Sequence, residues 1–156
     1  MLNKVDFPLT TSQISEFVLD KGYTSYFRLQ EALSDLAQSD LIRPETTHNR
    51  TLYHLTEDGA ETILYFSNKI SPAIRQDIDD FLREKQYDLK EEAAVKSDYY
   101  LNTNREYEVR CQIEENGSSL IDLKLTVPTE KEAEAIVSHW NTKSQEIYTL
   151  LLSNLL

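Results

Sequence analysis

Apolar positions along the first forty residues follow helical spacing in two segments. "TTSQISEFVLDKG" predicts a short first helix whose apolar stripe consists of Ile14, Phe17 and Val18. Thr10 and Gln13 fit a capping box at its start, and Gly22 predicts its end. "YTSYFRLQEALSDLAQSDLI" predicts a second helix, about Tyr23–Ser39. Its core-facing stripe is Tyr26, Leu29, Leu33 and Leu36, and its opposite face is Thr24, Arg28, Glu31 and Asp35.

The next segment predicts a β-hairpin followed by a third helix. Leu41–Ile42 and Thr51–Leu55 have the pattern of strands, and the polar "ETTHNR" between them is typical of a turn. Thr56 is placed to cap the helix "EDGAETILYFSNKI". We expect three apolar residues of that helix to reach the core: Ile63, Leu64 and Phe66.

The second half predicts a long helix, antiparallel strands and a terminal helix. Ser71-Pro72 is a typical helix start, and from about Ser97 the apolar period changes to two. The alternating positions are Tyr107, Val109, Cys111 and Ile113, then Ile121, Leu123, Leu125 and Val127. Thr129 and Glu132 form a second capping box, and the apolar end "IYTLLLSNLL" is typical of a segment that packs between elements or against a second chain.

The connection "EENGSS" determines how these two strands pair. A two-residue Asn-Gly turn pairs Ile113 with Leu120, which places the two apolar faces on opposite sides. We therefore predict a three-residue loop with Gly117 in a bulge, which pairs Cys111 with Ile121 and Val109 with Leu123. The whole order predicts an α+β fold with two modules, residues 1–69 and residues 70–156.

Charge and composition narrow the range of functions. The 156 residues carry a net charge of −11, with only one cysteine and no apolar run of membrane-spanning length. These features predict a cytoplasmic protein without a membrane segment. Residues 1–55 contain five bases and seven acids, whereas residues 56–156 contain eleven bases and twenty acids. The first third is therefore the part of the chain that DNA phosphates would repel least.

Helix, turn, helix and hairpin in this order resemble a winged helix, a helix-turn-helix with an added β-wing. "YHLTEDG", Tyr53 to Gly59, resembles the run that ends the wing in MarR-type and PadR-type bacterial regulators. Here Tyr53 and Leu55 are expected in the core, and Gly59 is expected to permit a close approach. The stretch "DFPLTTSQISEFVLDKGYTSYFRLQEALSDLAQSDLI" also resembles a smaller winged-helix family of unknown function from Gram-positive bacteria. That resemblance implies an N-terminal winged helix-turn-helix followed by a long helix, an antiparallel β-unit and a C-terminal helix.

One departure from the winged-helix pattern concerns its first helix, because only "MLNKVDF" precedes Pro8 and the helix that follows. The natural chain would be longer at this end, or the first helix is a stub. A missing helix would expose apolar surface around Leu33 and Leu36. We expect either truncation or compensation by another segment or subunit.

Candidate DNA contacts lie on the second helix and in the hairpin. They are Thr24, Ser25, Arg28, Arg43, His48, Asn49 and Arg50. Arginine suits phosphate or base-edge contacts, and a polar wing tip suits the minor groove or the backbone. The alternative is that these are solvated surface groups, with Arg28 paired to Glu31 or Asp35. Tyr23, Tyr26 and Phe27 offer stacking surfaces, but we expect Tyr26 in the core and the other two rings at its partly buried edge.

No motif indicates catalysis, a metal site or a cofactor. The three histidines lack metal-ligand spacing, Cys111 has the pattern of a buried strand residue, and the paired acids fall on helix exteriors or in a turn. Three hypotheses remain. The first is a winged-helix regulator that binds double-stranded DNA as a homodimer. The second is an acidic protein-interaction module without DNA binding. The third is a small-molecule-binding protein with a pocket near Tyr99, Tyr107 or Trp140.

Overall fold

A computed structural model describes residues 1–115 and 118–156, in which five α-helices and two three-stranded antiparallel sheets form a mixed α+β fold. The described residues divide into two compact units. The first is Met1–Thr46 with Arg50–Ala93, and the second is Thr47–Asn49 with Ala94–Leu156. The predicted boundary at residues 69–70 precedes the long helix, which lies almost wholly in the first unit. None of the helices described is both long and apolar enough to cross a membrane.

The first unit begins with a short 3-10 helix, Leu2–Lys4, and a second one follows α3 at Ser67–Lys69. Its other elements are β1 (Leu9–Thr10), α1 (Thr11–Asp20), α2 (Tyr26–Gln38), β2 (Ile42–Thr46), β3 (Thr51–Leu55), α3 (Glu57–Phe66) and α4 (Pro72–Ala94). The sheet order is β1-β3-β2. The second unit contains β4 (Val95–Leu101), β5 (Tyr107–Glu115), β6 (Ser118–Val127) and α5 (Glu130–Leu155), with sheet order β4-β5-β6.

Helix ends follow the caps expected from local sequence. Thr10 and Gln13 form the predicted capping box of α1, and Thr129 and Glu132 form that of α5. Gly22 has a φ of 68°, and its amide donates to the Leu19 carbonyl while the next amide donates to the Val18 carbonyl. This is a Schellman motif, which requires the left-handed conformation that glycine adopts easily. These predictions are therefore confirmed.

The core of the first unit combines residues from the start of the chain, from α2 and from α4. Leu29 and Leu33 of α2 are buried with Leu82 and Leu89 of α4. Apolar residues near the start of the chain pack against this cluster: Met1, Leu2, Val5 and Phe7. Leu33 is therefore buried within this cluster, while Leu36 stays partly exposed.

The expected burial of α3 is wrong for two of its three apolar residues. Leu64 and Phe66 are exposed, and only Ile63 is half-buried. The side of α3 that faces the protein is set at Gly59, where the helix touches the Leu41 carbonyl. Ile63 follows Gly59 by one turn on the same side, whereas Leu64 points about 140° away from Gly59.

The core of the second unit lies between α5 and two of the three strands. Trp140 is buried and its Nε1 donates to the Gln112 carbonyl at 3.2 Å, while Ser97 Oγ donates to the Val137 carbonyl at 3.4 Å. Tyr99 is buried in the same cluster and Tyr107 packs against it. These rings, proposed above as pocket-lining groups, therefore contribute to the packed core.

Pairing between β5 and β6 differs from the prediction. Cys111 pairs with Leu123 and Val109 with Leu125, so the predicted partners are wrong by two residues. Glu115 pairs with Ser118 and Glu114 with Ser119, but the register shifts between Glu114 and Ile113, which pairs with Ile121 and leaves Leu120 as an extra residue in β6. This shift has the same effect as a longer loop, because it returns the apolar residues of both strands to one face. The predicted loop conformation at Gly117 lies outside the described residues.

Gly59 lies too close to its neighbours to accept a side chain. A Cβ at this position would stand 2.0 Å from the Leu41 carbonyl oxygen and 2.9 Å from Leu55 Cδ1. We expect Gly59→Ala to lower the free energy of unfolding by about 1–3 kcal/mol, because the backbone must move to admit the methyl group. Without that contact, alanine would stabilise a helix interior by about 1 kcal/mol.

Urea denaturation of Gly59→Ala checks this expectation. Glu61→Ala is the matched control, because Glu61 is exposed on the same helix and its replacement should change stability by no more than about 0.5 kcal/mol. A Gly59→Ala protein as stable as the parent would show that the close approach is not required.

Candidate nucleic-acid interface

Two structural features position α2 in the first unit. The Schellman turn after α1 leads into Ser25, which occupies the N-cap of α2, and Leu29 and Leu33 anchor the helix in the core. As a result, Arg28, Glu31 and Asp35 are exposed, as predicted for the opposite face. Thr24 is half-buried. Because α2 begins at Tyr26, both Thr24 and Ser25 precede the helix.

Positive and negative charges separate along α2. From Ser25 to Gln30 the only charged residue is Arg28, and the acids Glu31 and Asp35 belong to the following turns. Arg28 makes no ion pair with any residue that the structure describes, so the suggested pairing with these acids does not form. Lys21, which precedes α2, is already paired with Asp77 at 2.9 Å.

Aromatic side chains at the start of α2 are more exposed than expected. Tyr26 is 52% exposed and Phe27 is 83% exposed, so the predicted core position of Tyr26 and partial burial of Phe27 are both wrong. Their rings meet edge to face with centroids 6.0 Å apart. Tyr23 differs, because its ring packs against Phe17 and its hydroxyl donates to Asp77. That hydrogen bond raises the pKa of Tyr23 and lowers the pKa of Asp77.

The hairpin residues proposed for DNA contact fall into two groups. Arg43 and Asn49 are exposed, and Asn49 Oδ1 accepts a hydrogen bond from Thr47 at 2.8 Å. Arg50 is half-buried, and its Nη1 donates to the Glu92 carbonyl at 2.7 Å. Burial lowers the pKa of Arg50, while the carboxylates of Glu92 and Glu45 act in the opposite direction. Arg50 is therefore committed to a contact within its own unit.

His48 is also engaged by other residues of its compact unit. Its ring stacks on Tyr99 with centroids 4.1 Å apart and an interplanar angle of 18°, and its Nδ1 contacts the Asp98 carboxylate. The sequence contained no signal for this arrangement, because Asp98 lies 50 positions from His48. His54, the neighbouring histidine of the hairpin, pairs with Glu45 at 2.8 Å.

Other chemically reactive groups occupy structural positions. Cys111 is buried in β5, and burial raises its pKa to about 11, which keeps the thiol protonated at neutral pH. Among residues 1–115 and 118–156, no group of three or more histidines, cysteines and acids is arranged to hold a metal ion. Within the first unit, the exposed surface of α2 and β2 is therefore the candidate site, with Thr24, Ser25, Arg28 and Arg43 as its polar residues, whereas Asn49 belongs to the second unit.

Comparison with known proteins adds a family but no activity. The family model described as "Domain of unknown function (DUF4364)" matches residues 1–155. No curated protein and no solved structure matches the chain.

The contacts of Arg50 predict that replacing it lowers the stability of the protein, an effect distinct from a loss of ligand binding. We expect Arg50→Ala to lower the free energy of unfolding by about 1–2 kcal/mol, because a charge-assisted hydrogen bond to the Glu92 carbonyl is lost. Arg43→Ala, the matched control on an exposed arginine of the same hairpin, should change stability by no more than about 0.5 kcal/mol. Chemical denaturation measures both, and equal stability of the two variants would contradict the structural assignment.

Proposed function

The chain belongs to the DUF4364 family, whose description assigns no activity, and we propose from its exposed surface that it is a winged-helix DNA-binding protein acting as a dimeric transcriptional regulator. In this proposal α2 enters the major groove and the β2–β3 hairpin contacts the flanking backbone. Double-stranded DNA is the partner, and no cofactor takes part.

The order of elements supports this proposal. Two helices joined by a tight turn are followed by a hairpin, as in winged helices. The short strand β1 pairs with β3, which places the segment before α1 in the same sheet as the hairpin. The likeness of "YHLTEDG" to MarR-type and PadR-type regulators is supported by the burial of Tyr53, the cap made by Thr56 and the close approach at Gly59.

The observation that carries the proposal is the acid-free, exposed start of α2. Recognition helices of this class contact base edges with their N-terminal residues. Here those residues include Ser25, whose hydroxyl makes no capping bond within the described chain, and Arg28, which makes no ion pair there. Arg28 can reach a phosphate or the edge of a guanine, and Ser25 can bond a phosphate oxygen.

The hairpin is assigned a smaller role than the sequence suggested. Arg43 and the amide of Asn49 are exposed and suited to backbone contacts. Arg50 and His48 are held by neighbouring groups, so they shape the hairpin rather than supply charge to a ligand. A net charge of −11 makes non-specific binding weak, which leaves sequence-dependent contacts with a larger share of the affinity.

Replacing Arg28 tests the proposal directly. We expect Arg28→Ala to weaken binding to a duplex selected by the protein from a random pool by roughly tenfold, and to lower the salt slope by about one if the guanidinium neutralises a phosphate. Fluorescence anisotropy over a range of salt concentrations gives both quantities. Arg75→Ala is the matched control, because Arg75 is exposed on α4 and its loss changes the net charge equally.

Two outcomes would refute DNA binding through α2. The first is a failure of the parent protein to bind random or selected duplex at about 10 μM at low salt, where non-specific binding is ordinarily detectable. The second is equal binding by the parent and by Arg28→Ala.

A second candidate function is supported by the exposed ring of Phe27. Aromatic residues are enriched among the residues that dominate protein–protein affinity, and an 83% exposed phenylalanine beside a half-exposed Tyr26 fits such a surface. In this alternative the chain is an acidic interaction module, and the carboxylates of Glu31 and Asp35 exclude DNA from α2.

Photocrosslinking in cells distinguishes the two candidates. With Phe27 replaced by p-benzoylphenylalanine, the interaction module should yield adducts with polypeptide, whereas the regulator should yield adducts with DNA. The same replacement at Tyr87, an exposed aromatic residue of α4, is the control and should yield neither. DNA adducts at position 27 without polypeptide adducts would eliminate the second candidate.

A further inference from the structure

The outer edge of β6 offers unpaired backbone groups. β6 pairs with β5 on one side, and none of the described residues pairs with it on the other. The strand extends over ten residues, Ser118–Val127, without a proline. A long edge strand of this kind is a ready template for a further strand, because its outward N–H and C=O groups have no partner in the sheet.

The apolar face of β6 is incompletely covered. On this side of the sheet, Val109 and Cys111 of β5 are buried beneath α5. Their partners in β6 are less protected, since Leu123 is half-buried and Leu125 is 44% exposed. The apolar row of β6, formed by Ile121, Leu123 and Leu125, therefore extends beyond the surface that α5 covers.

The opposite face of β6 carries two charges of opposite sign. Asp122 accepts hydrogen bonds from Arg110 Nε at 3.0 Å and from its Nη2 at 2.6 Å. Lys124 Nζ lies 3.4 Å from the Glu108 carboxylate, and the lysine side chain is 61% exposed. Lys124 is therefore accessible from the open edge of the sheet.

The spacing of these residues makes β6 complementary to itself. If two β6 strands pair antiparallel about a two-fold axis at Leu123, Asp122 of each lies opposite Lys124 of the other, and Ile121 lies opposite Leu125. Centring the pair on Asp122 or on Lys124 places like charges directly opposite, which is destabilising. A register whose two-fold axis falls between two neighbouring residues places apolar residues opposite polar ones.

We propose that β6 pairs with β6 of a second copy of this chain, antiparallel and centred on Leu123, so that two three-stranded sheets join into one of six strands. The interface is isologous, as in most homodimers. The apolar row of each β6 continues into that of the second copy. On the opposite face, Arg110 pairs with Asp122 of its own chain, and Asp122 lies next to Lys124 of the second copy. A lysine ordinarily protects an edge strand from pairing, but here each lysine meets an aspartate.

This interface identifies the dimer contact of the proposed regulator, but it does not depend on DNA binding. Its test contains no DNA: a monomeric parent would refute this interface together with the dimeric form of the regulator, whereas DNA binding through α2 is judged by the Arg28→Ala measurement alone. Another exposed apolar segment of the unit is the end of α5, with Leu150, Leu152, Leu155 and Leu156. It lacks the paired charges that select a partner for β6.

Charge reversal tests the interface with the full-length chain. Asp122→Lys places two lysines opposite each other at both pairs, and Lys124→Asp places two aspartates there, so each variant alone should be monomeric. An equimolar mixture restores both opposite-charge pairs and should form a heterodimer. Sedimentation velocity at micromolar concentration measures all three samples. Lys131→Asp, which changes an exposed lysine of α5 by the same charge, should remain dimeric like the parent.

Recovery in the mixture separates association from misfolding, because a misfolded chain is not repaired by another variant. The proposal fails if the parent is monomeric, if either single variant remains dimeric, or if the mixture does not associate. Should Asp122→Lys be unfolded by circular dichroism, Asp122→Cys and Lys124→Cys give an independent measurement. A short thiol crosslinker should join them in a mixture but neither variant to itself, and the reverse pattern excludes the register centred on Leu123.

Discussion

Thr56 and Gly59 hold the segment after α2, the hairpin and α3 together through backbone contacts. Thr56 Oγ1 accepts from the Gly59 amide at 3.0 Å and donates to the Asp40 carbonyl at 2.6 Å, and the Thr56 amide donates to the Leu41 carbonyl at 3.3 Å. Gly59 then presses against that same Leu41 carbonyl. One short segment thus connects the end of α2, both strands of the hairpin and the start of α3.

For DNA binding, the local distribution of charge matters more than the net charge of the chain. A net charge of −11 disfavours DNA binding by the chain as a whole, yet many acids are already compensated, as Asp77 is by Lys21 and Asp122 is by Arg110. The start of α2 is notable for the opposite reason, since Arg28 has no ion pair among the described residues. Both candidate functions use this surface, and they differ in whether arginine or the neighbouring aromatic rings dominate binding.

Features determined by neighbours in the chain were predicted well, and features determined by distant contacts were not. The capping boxes at Thr10 and Thr129 involve residues three positions apart, so their spacing is visible in the sequence. Tyr26 shares a helical face with the buried Leu29 and Leu33, yet it is 52% exposed. Likewise, Arg50 and His48 have hydrogen-bond partners 42 and 50 positions away, which no local pattern reveals.

Local sequence was enough to predict the longer helices and strands, the capping boxes and which residues share a face, because these depend on backbone preferences and periodicities over a few residues. It did not predict the short strand β1 or the full length of β2. The register of β5 and β6, where the shift at Ile113 takes the place of a longer loop, and the burial of individual apolar side chains and of Arg50 come from contacts between segments. Burial and ion pairing depend on distances between remote segments, which local spacing does not contain.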